Sequence, residues 1–415
     1  MTSPFDAYRL AGLTLRNRVI KSATFEGMTP DGFVSDALVR HHREIAAGGV
    51  GMTTVAYCAV APDGRTFRDQ LYLRPEALPA LRGLTDAVHR EGAAASLQLG
   101  HCGFFCNNHD LVGRRPKGPS ATVNLLGALS GRPWADEMNQ ADIDDMTAAF
   151  VSSARMAREA GFDAVELHLG HGYLLSQFLS PATNRRKDAY GGTLENRARF
   201  PVRVVERVRA ALPADFPVLA KVNLRDGFRG GFELDESVDV ARMLESVGVS
   251  ALVLSGGFVS RDAMYLFRGE RPLRDMIAVE KSIAQKIALT LFGPLVIKAY
   301  PFEPMYFLPL ARAVRGAVRT PLVLLGGITS VADMQRAMDE GFELTAMGRA
   351  LIHDPGLIAK YAAGSAGESG CTPCNRCVAE MDREGGVRCS RVPAQLAERE
   401  ASVLRDRGAG GAATA

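Results

Sequence analysis

Eight short apolar runs recur along the chain, and most are followed by a segment with helical periodicity. Each run is continuously apolar rather than alternating, which is typical of parallel strands buried on both faces. Eight strand–helix units predict an α/β fold, the (β/α)8 or TIM barrel, with long loops and a short cysteine-rich appendage. The runs lie at residues 19–24, 51–58, 94–100, 164–170, 218–224, 251–257, 321–327 and 344–349.

Two of the helices between these runs have clear signals. Apolar residues recur at i, i+3 and i+4 spacing over 144–160, with Asp142 as the expected N-cap and Gly161 as the expected C-terminal stop. A second apolar stripe predicts a helix over 195–212.

Two connections are much longer than the usual ~2–6 residues and are expected to act as lids or binding loops. They run over 101–141 and 258–319, the second with one helix inside. The whole chain is expected to divide into a barrel over 1–365, a cysteine-rich appendage over 366–400 and a disordered tail over 401–415.

Composition narrows the classes of function. The 415 residues are 23% charged, with 49 Lys and Arg against 46 Asp and Glu, and no basic stripe or nucleic-acid motif is present, so we expect no nucleic-acid partner. The longest apolar stretch is well short of the ~20 residues that span a bilayer, and no leader pattern opens the chain. Four of the seven cysteines lie within 371–389, unlike a secreted disulfide framework, which favours a cytoplasmic protein. No Walker loop or G-x-G-x-x-G follows a strand, which disfavours an ATPase or a Rossmann enzyme.

Three polar side chains lie where the fourth apolar run ends and its loop begins. His168, His171 and Tyr173 are expected at the carboxyl end of that strand, the face where barrels carry their active sites. Two neutral imidazoles can donate hydrogen bonds to one carbonyl oxygen on which negative charge develops. A tyrosine with its ordinary pKa near ~10 stays protonated at neutral pH and can act as a general acid. On spacing alone, a structural histidine pair, or a metal pair without an evident third ligand, stays an alternative.

Glycines follow the seventh and eighth runs, where barrels often bind phosphate. Gly326 and Gly327 come after the seventh run, and Gly348 and Arg349 after the eighth. Glycine lets backbone N–H groups approach a phosphate, and the arginine adds a charge-assisted hydrogen bond. The pattern predicts a phosphate site formed by the two loops together.

A second group of residues that indicates a functional site lies near the C-terminus. Cys371, Cys374, Cys377 and Cys389 follow one another at short spacing. Four thiolates in such a pattern suit a [4Fe–4S] cluster or a structural zinc ion. A site without metal is the third interpretation.

The segment 164–200 carries a family resemblance. Its pattern E-L-H-x-x-H-G-Y-L-L-x-Q-F-L-S-P, followed by N-R-R-x-D-x-Y-G-G-x-L-E-N-R-x-R-F, resembles the Old Yellow Enzyme family of flavin oxidoreductases. It looks most similar to the branch that contains 2,4-dienoyl-CoA reductase and trimethylamine dehydrogenase. Further matches lie at 15–24, 60–65, 97–101, 324–330 and 347–355, so that the resemblance covers about residues 5–390.

The resemblance implies an FMN-binding barrel and roles for single residues. His168 and His171 match the pair that binds the substrate carbonyl, and Tyr173 matches the proton donor to the α-carbon. Gln98 matches a partner of the flavin pyrimidine edge, and Lys221 stands where many relatives have arginine near flavin N1. The implied ring contacts are Ala23, Thr24, Phe25 and Tyr57, and the implied phosphate contacts are Gly326, Gly327, Gly348 and Arg349.

The implied activity is NAD(P)H-driven, FMN-dependent reduction of the C=C bond of a small α,β-unsaturated carbonyl compound. Two-domain members of the branch carry a [4Fe–4S] cluster at the matching cysteines and continue into a second flavoprotein domain, which these 415 residues do not include. A separate electron-transfer partner and a homo-oligomer are therefore compatible with the pattern. The alternatives are an amine or N-methyl dehydrogenase of the trimethylamine dehydrogenase type, and a non-enzymatic flavin- or cluster-binding partner subunit.

Overall fold

A computed structural model describes residues 2–108, 114–128 and 131–411. Eight parallel strands close into a barrel, which confirms the predicted fold. Almost every strand residue is buried, as the continuously apolar runs predict. The strands are β1 (Val19–Lys21), β2 (Met52–Ala59), β3 (Ala94–Gly100), β4 (Ala164–Leu169), β5 (Val218–Asn223), β6 (Ala251–Ser255), β7 (Leu322–Leu325) and β8 (Leu344–Met347).

One helix of the outer ring follows each strand, and the apolar face of each longer helix is buried against the barrel. These helices are α1 (Asp36–Ala47), α2 (Leu78–Arg90), α3 (Gln140–Glu159), α4 (Leu194–Ala211), α5 (Leu234–Ser246), α6 (Leu308–Arg315), α7 (Val331–Asp339) and α8 (Arg349–His353). The predicted helix over 195–212 is confirmed to within one residue by α4.

The start of α3 corrects one prediction. Asn139, and not Asp142, is the N-cap: its side-chain oxygen accepts the Asp142 N–H at 3.0 Å. The Asp142 carboxylate in turn accepts the Asn139 N–H at 2.9 Å, which makes a reciprocal capping box. Both residue types favour helix starts, so composition did not distinguish them. Gly161 ends the helix as predicted, with a φ of 86° that suits glycine.

An N-terminal hairpin closes one end of the barrel. Its strands Tyr8–Leu10 and Leu13–Leu15 pair antiparallel, and Leu10 and Leu15 pack with the inward side chains near the amino ends of the barrel strands, Ile20 among them. The opposite end, where the strands finish at their carboxyl termini, is the one left for a site.

The long connections contain more regular structure than the sequence predicts. Where one helix is expected within 258–319, three helices precede α6, so that expectation is wrong in number. The first is kinked at Asp262 and the second buries no residue, which explains why neither has a regular apolar stripe. The added helices are Val259–Phe267, Leu273–Val279 and Ile283–Val296; the other connection has short strands at Lys117–Gly118, Thr122–Val123 and Trp134–Glu137 and a short helix at Leu125–Ala128.

The C-terminal region after the barrel has three helices, Leu357–Ala362, Arg376–Glu380 and Pro393–Gly411. The last of them is helical across 401–411, where composition predicts a disordered tail; strong helix formers such as Ala, Leu and Arg fill its first half. Residues 412–415 lie outside the described residues. No helix in the described ranges is long and apolar enough to cross a bilayer.

The capping box yields a stability prediction. Replacing the cap in Asn139→Ala removes the acceptor for the Asp142 N–H and should lower the free energy of unfolding by about 1 kcal/mol. Urea denaturation followed by circular dichroism measures this difference. The neighbouring exposed change Gln140→Ala is the matched control, and an equal loss in both variants would contradict the capping role.

Candidate active site

Three predicted catalytic side chains meet at the carboxyl end of β4. The rings of His168 and His171 have their centroids 4.9 Å apart and lie nearly perpendicular, at 87°. The Tyr173 ring lies 4.5 Å from that of His168. The structure thus brings together side chains that a strand end and the following turn supply, at the face where a barrel carries its site.

The turn after β4 is held in an unusual conformation. His171 has a φ of 60°, in the left-handed region that non-glycine residues rarely adopt. Its N–H donates to Asn223 Oδ1 at 2.9 Å, and its carbonyl accepts the Val259 N–H at 2.9 Å. Its imidazole Nε2 lies 2.7 Å from Ser255 Oγ. Neighbouring strands β5 and β6 therefore fix both the backbone and the ring of His171.

Burial sets the protonation of these groups. Loss of solvent lowers the pKa of His171 to about 3, with the Lys221 charge as a smaller cause. Burial likewise lowers the pKa of His168 well below its ordinary value. For Tyr173, burial and then the nearby Cys102 raise the pKa above its ordinary value. At neutral pH the site consists of two uncharged imidazoles and a protonated phenol, all three able to donate hydrogen bonds.

A buried polar network lies beside the histidines. The carboxylate oxygen Oε1 of Glu166 accepts from Gln98 Nε2 at 2.7 Å and from Lys221 Nζ at 2.8 Å. All three side chains are at most 4% exposed. Gln98 and Lys221 are therefore both oriented by one residue that the sequence analysis missed. The available signal was a lone carboxylate inside a buried apolar strand, which needs a partner.

The residues predicted to contact the flavin ring lie at the same carboxyl end of the barrel. Ala23, Thr24 and Phe25 follow β1 and are partly exposed, and the buried hydroxyl Oγ1 of Thr24 has no partner among the described residues. At the end of β2, the Tyr57 ring lies 4.4 Å from Tyr173. An orphaned buried hydroxyl at an open strand end fits a polar ring system bound there.

The two glycine loops lie side by side, because β7 and β8 are neighbours in the barrel. Gly326 and Gly327 have positive φ values of 101° and 76°, and a Cβ on Gly327 would stand 2.8 Å from the Glu303 carbonyl oxygen. Gly348 is more open, with only Thr24 Cγ2 near such a Cβ, at 3.2 Å. These loops can present backbone N–H groups as glycine-rich anion sites do.

Arg349, a predicted phosphate contact, is hydrogen-bonded to two distant parts of the chain. Its Nη1 donates to the Arg268 carbonyl at 2.9 Å and to the side-chain oxygen of Asn375. The guanidinium also lines the cavity that the cysteines surround. Arg349 therefore connects the strand β8 end with the C-terminal appendage, a contact that the sequence did not predict.

All four C-terminal cysteines line one small cavity that is partly open to solvent. Burial raises the pKa of Cys371 to about 11 and that of Cys377 to about 12, and the Arg349 charge opposes both shifts. The His353 Nδ1 lies 3.4 Å from Cys389 Sγ. In the described part of the chain, no three Cys, His, Asp or Glu side chains converge closely enough to hold a single metal ion.

Comparisons with known proteins identify the family of the chain. A sequence model of the NADH:flavin oxidoreductase / NADH oxidase family matches residues 4–262. A 4,4'-dithiodibutanoate disulfide reductase from Rhodococcus erythropolis is 45% identical over 97% of this chain and 98% of its own length. An NADH oxidase from Thermoanaerobacter brockii is 30% identical over 89% of this chain, which spans 52% of that enzyme.

Solved structures share the fold. A 2-naphthoyl-CoA reductase complex superposes with a TM-score of 0.74 at 24% identity, over 90% of this chain and 54% of that one. An old yellow enzyme homologue from Zymomonas mobilis gives a TM-score of 0.69 at 22% identity, over 89% and 95%. This chain thus spans about half the length of some relatives and nearly the full length of others. With the family match over most of the barrel, and a relative 45% identical along almost its whole length, the chain belongs to the NADH:flavin oxidoreductase / NADH oxidase family.

Proposed function

We propose that this chain is an FMN-dependent, NAD(P)H-driven reductase of the C=C bond in small α,β-unsaturated carbonyl compounds. The observation that carries the proposal is the group of His168, His171 and Tyr173 at the mouth of the barrel, uncharged and able to donate hydrogen bonds. Bound FMN supplies the hydride chemistry, which side chains alone do not provide.

Each residue of the group has a definite task. His168 and His171 donate hydrogen bonds to the carbonyl oxygen and stabilise the negative charge that develops there as the β-carbon is reduced. Tyr173 donates its proton to the α-carbon. The hydrogen bond between His171 and Ser255 at 2.7 Å holds one imidazole in place, so the oxygen is bound in a fixed position.

Other residues suit the cofactor. Gln98 and the buried cation Lys221 are candidates for hydrogen bonds to the flavin, and both are oriented by Glu166. A lysine near the ring stabilises an anionic reduced flavin. The loops of Gly326, Gly327 and Gly348 are the candidates for binding the FMN phosphate, because their glycines leave room for the backbone to approach it closely.

An anaerobic experiment tests the proposal. NADH or NADPH should bleach the flavin absorbance of the purified protein, and a simple cyclic enone should restore it. Bleaching by an amine without nicotinamide would favour the amine dehydrogenase alternative instead. Protein that rejects added FMN would favour the non-enzymatic alternative.

Tyr173→Phe tests the proton donor. Loss of a general acid should slow enone reduction by about 100-fold, while bleaching of the flavin by NAD(P)H keeps its rate. Stopped-flow absorbance separates the two half-reactions. Tyr8→Phe, in the hairpin at the opposite end of the barrel, is the control and should change neither rate. Unchanged enone reduction in Tyr173→Phe would rule out the assigned role.

The histidine roles require uncharged rings. With the pKa of His171 lowered to about 3 and that of His168 lowered well below its ordinary value, both rings are uncharged at neutral pH. Nitrogen-15 NMR of labelled histidine, assigned with His→Gln variants, should therefore show no titration of either ring between about pH 5 and pH 8. His89 is the internal control, since its bond to Asp163 raises its pKa and it should titrate in this range. A midpoint near 6.5 for His168 or His171 would contradict the assignment.

We further propose that the four C-terminal cysteines hold a [4Fe–4S] cluster that exchanges electrons with a separate partner. The support is the donor set: four thiols around one cavity. Anaerobically purified protein should contain iron and acid-labile sulfide in equal amounts. Cys374→Ser should lose both, and Cys58→Ser, a buried thiol in β2, should keep them. Zinc without sulfide would overturn the proposal in favour of a structural zinc ion.

A second candidate function is the reduction of a small organic disulfide. It is favoured by the 45% identity, over nearly the whole length of both chains, to a relative named 4,4'-dithiodibutanoate disulfide reductase. The same anaerobic experiment with this disulfide in place of the enone tests it. Reoxidation of the flavin with release of two thiols per NAD(P)H would support this function.

A further inference from the structure

Two cysteines outside the predicted sites lie next to the catalytic group. Cys102 follows β3 at the mouth of the barrel, and Cys106 comes four residues later, after the short turn Gly103–Phe105. Both are free thiols with no exposed surface. Their sulfurs share one acceptor, because Cys102 Sγ lies 3.5 Å and Cys106 Sγ 3.2 Å from the carbonyl oxygen of Arg65.

A fully buried amide ties this turn to the turn that carries Tyr173. Gln177 Nε2 donates to the carbonyls of Cys102 at 2.8 Å and Gly172 at 2.7 Å. Its oxygen accepts the Phe104 N–H at 3.2 Å. The positions of the two thiols and of the phenol are therefore set by the same side chain, one amide bridging both turns.

Tight packing supports the same arrangement. Gly103 has a φ of 64°, and a Cβ there would collide with the Gln177 side chain. The ring of Phe105, between the two cysteines in sequence, lies 5.0 Å from the Tyr173 ring. The two thiols thus belong to the wall of the candidate active site.

The two thiols differ in character. A hydrogen bond with Cys102 lowers the pKa of Cys106, and the Asn108 N–H reaches Cys106 Sγ at 3.4 Å. Burial raises the pKa of Cys102. A thiol with a lowered pKa beside a second thiol that can attack it is the arrangement that dithiol–disulfide exchange uses. Among the described residues no second thiol shifts the pKa of Cys58, which burial raises, as expected of a structural thiol.

We propose that Cys102 and Cys106 are a redox-active dithiol that reduces small organic disulfides at this active site. The inference rests on the second candidate function above and assigns residues to it. Because both sulfurs are buried, the wall must open to admit the substrate, which favours a small flexible disulfide over a protein disulfide.

The chemistry balances in three steps. The Cys106 thiolate attacks one sulfur of R–S–S–R, which breaks the substrate S–S bond, forms a Cys106–S–S–R mixed disulfide and releases RS⁻. Cys102 then attacks Cys106 Sγ, which releases a second RS⁻ and forms the Cys102–Cys106 disulfide, and the two cysteine protons leave with the two product thiols. Restoring both thiols takes the two electrons of a dihydronicotinamide and one proton from solvent; FMN, held by the residues proposed above, would supply the hydride chemistry for this transfer.

The first two steps need no reductant, so they can be tested without turnover. Holoenzyme with its flavin oxidised and with Cys102 and Cys106 as free thiols is mixed anaerobically with 4,4'-dithiodibutanoate in the absence of NAD(P)H, and the released 4-mercaptobutanoate is measured. Remaining thiols are alkylated after unfolding, and peptides are mapped by mass spectrometry. We expect a peptide that joins Cys102 to Cys106 by a disulfide.

Matched variants resolve the order of attack. Cys106→Ser should release two product thiols fewer per chain than the wild type. Cys102→Ser should release one fewer and retain the substrate moiety on Cys106. Cys58→Ser, a buried thiol in β2, should match the wild type. A packing role for the two cysteines predicts no mixed disulfide in any variant.

Two outcomes separate this proposal from the function on which it rests. In the first, the wild-type protein reduces the disulfide with NAD(P)H, but after mixing with the disulfide in the absence of NAD(P)H both Cys102 and Cys106 are recovered as free thiols. This result overturns the proposed dithiol and leaves the disulfide reductase function intact. Exchange at Cys102 and Cys106 without NAD(P)H-driven turnover supports the dithiol and removes the function. Since the wild-type mapping does not depend on any variant folding, the test stays decisive.

Discussion

The buried carboxylate of Glu166 orders the polar side chains beside the catalytic histidines. One oxygen of Glu166 on β4 accepts both from Gln98 on β3 and from Lys221 on β5. A charge without solvent is tolerated only when it is paired and hydrogen-bonded, so the three side chains must occupy these positions together. The ion pair with Glu166 also stabilises the charge of Lys221 in surroundings where burial keeps the neighbouring histidines uncharged.

Two side-chain amides fix the turns at the carboxyl end of the barrel by hydrogen bonds in the same way. Asn223 holds the backbone of His171 in its left-handed conformation, and Gln177 joins the turns that carry Cys102 and Tyr173. Both amides are at most 1% exposed. The reactive groups therefore sit on short irregular segments, but each segment is bonded to a strand or helix of the rigid scaffold, which is how a loop site gains a fixed geometry.

The sequence predicted what depends on local pattern. All eight strands follow from continuous apolar runs, and His168, His171 and Tyr173 follow from their place after one such run. Long-range contacts were not predictable in this way: the pairing of Glu166 with residues of two other strands and the turn of Arg349 toward Asn375 depend on segments far apart in the chain. One helix was expected within 258–319, and the others were not, because the first is kinked at Asp262 and the second buries no residue, so that neither shows a regular apolar stripe.

The contacts of Arg349 affect the order in which parts of the fold can come together. Its guanidinium joins the end of β8 to Asn375 in the cysteine segment and to the Arg268 carbonyl in the long connection after β6. Asn375 donates to the carbonyls of Arg268 and Glu270 as well. These hydrogen bonds form one junction, at which the end of β8, the long connection after β6 and the cysteine segment are in contact. During synthesis this junction stays open until Asn375 has left the ribosome, so the cysteine segment can reach its place on the rim only after all eight barrel strands have been made.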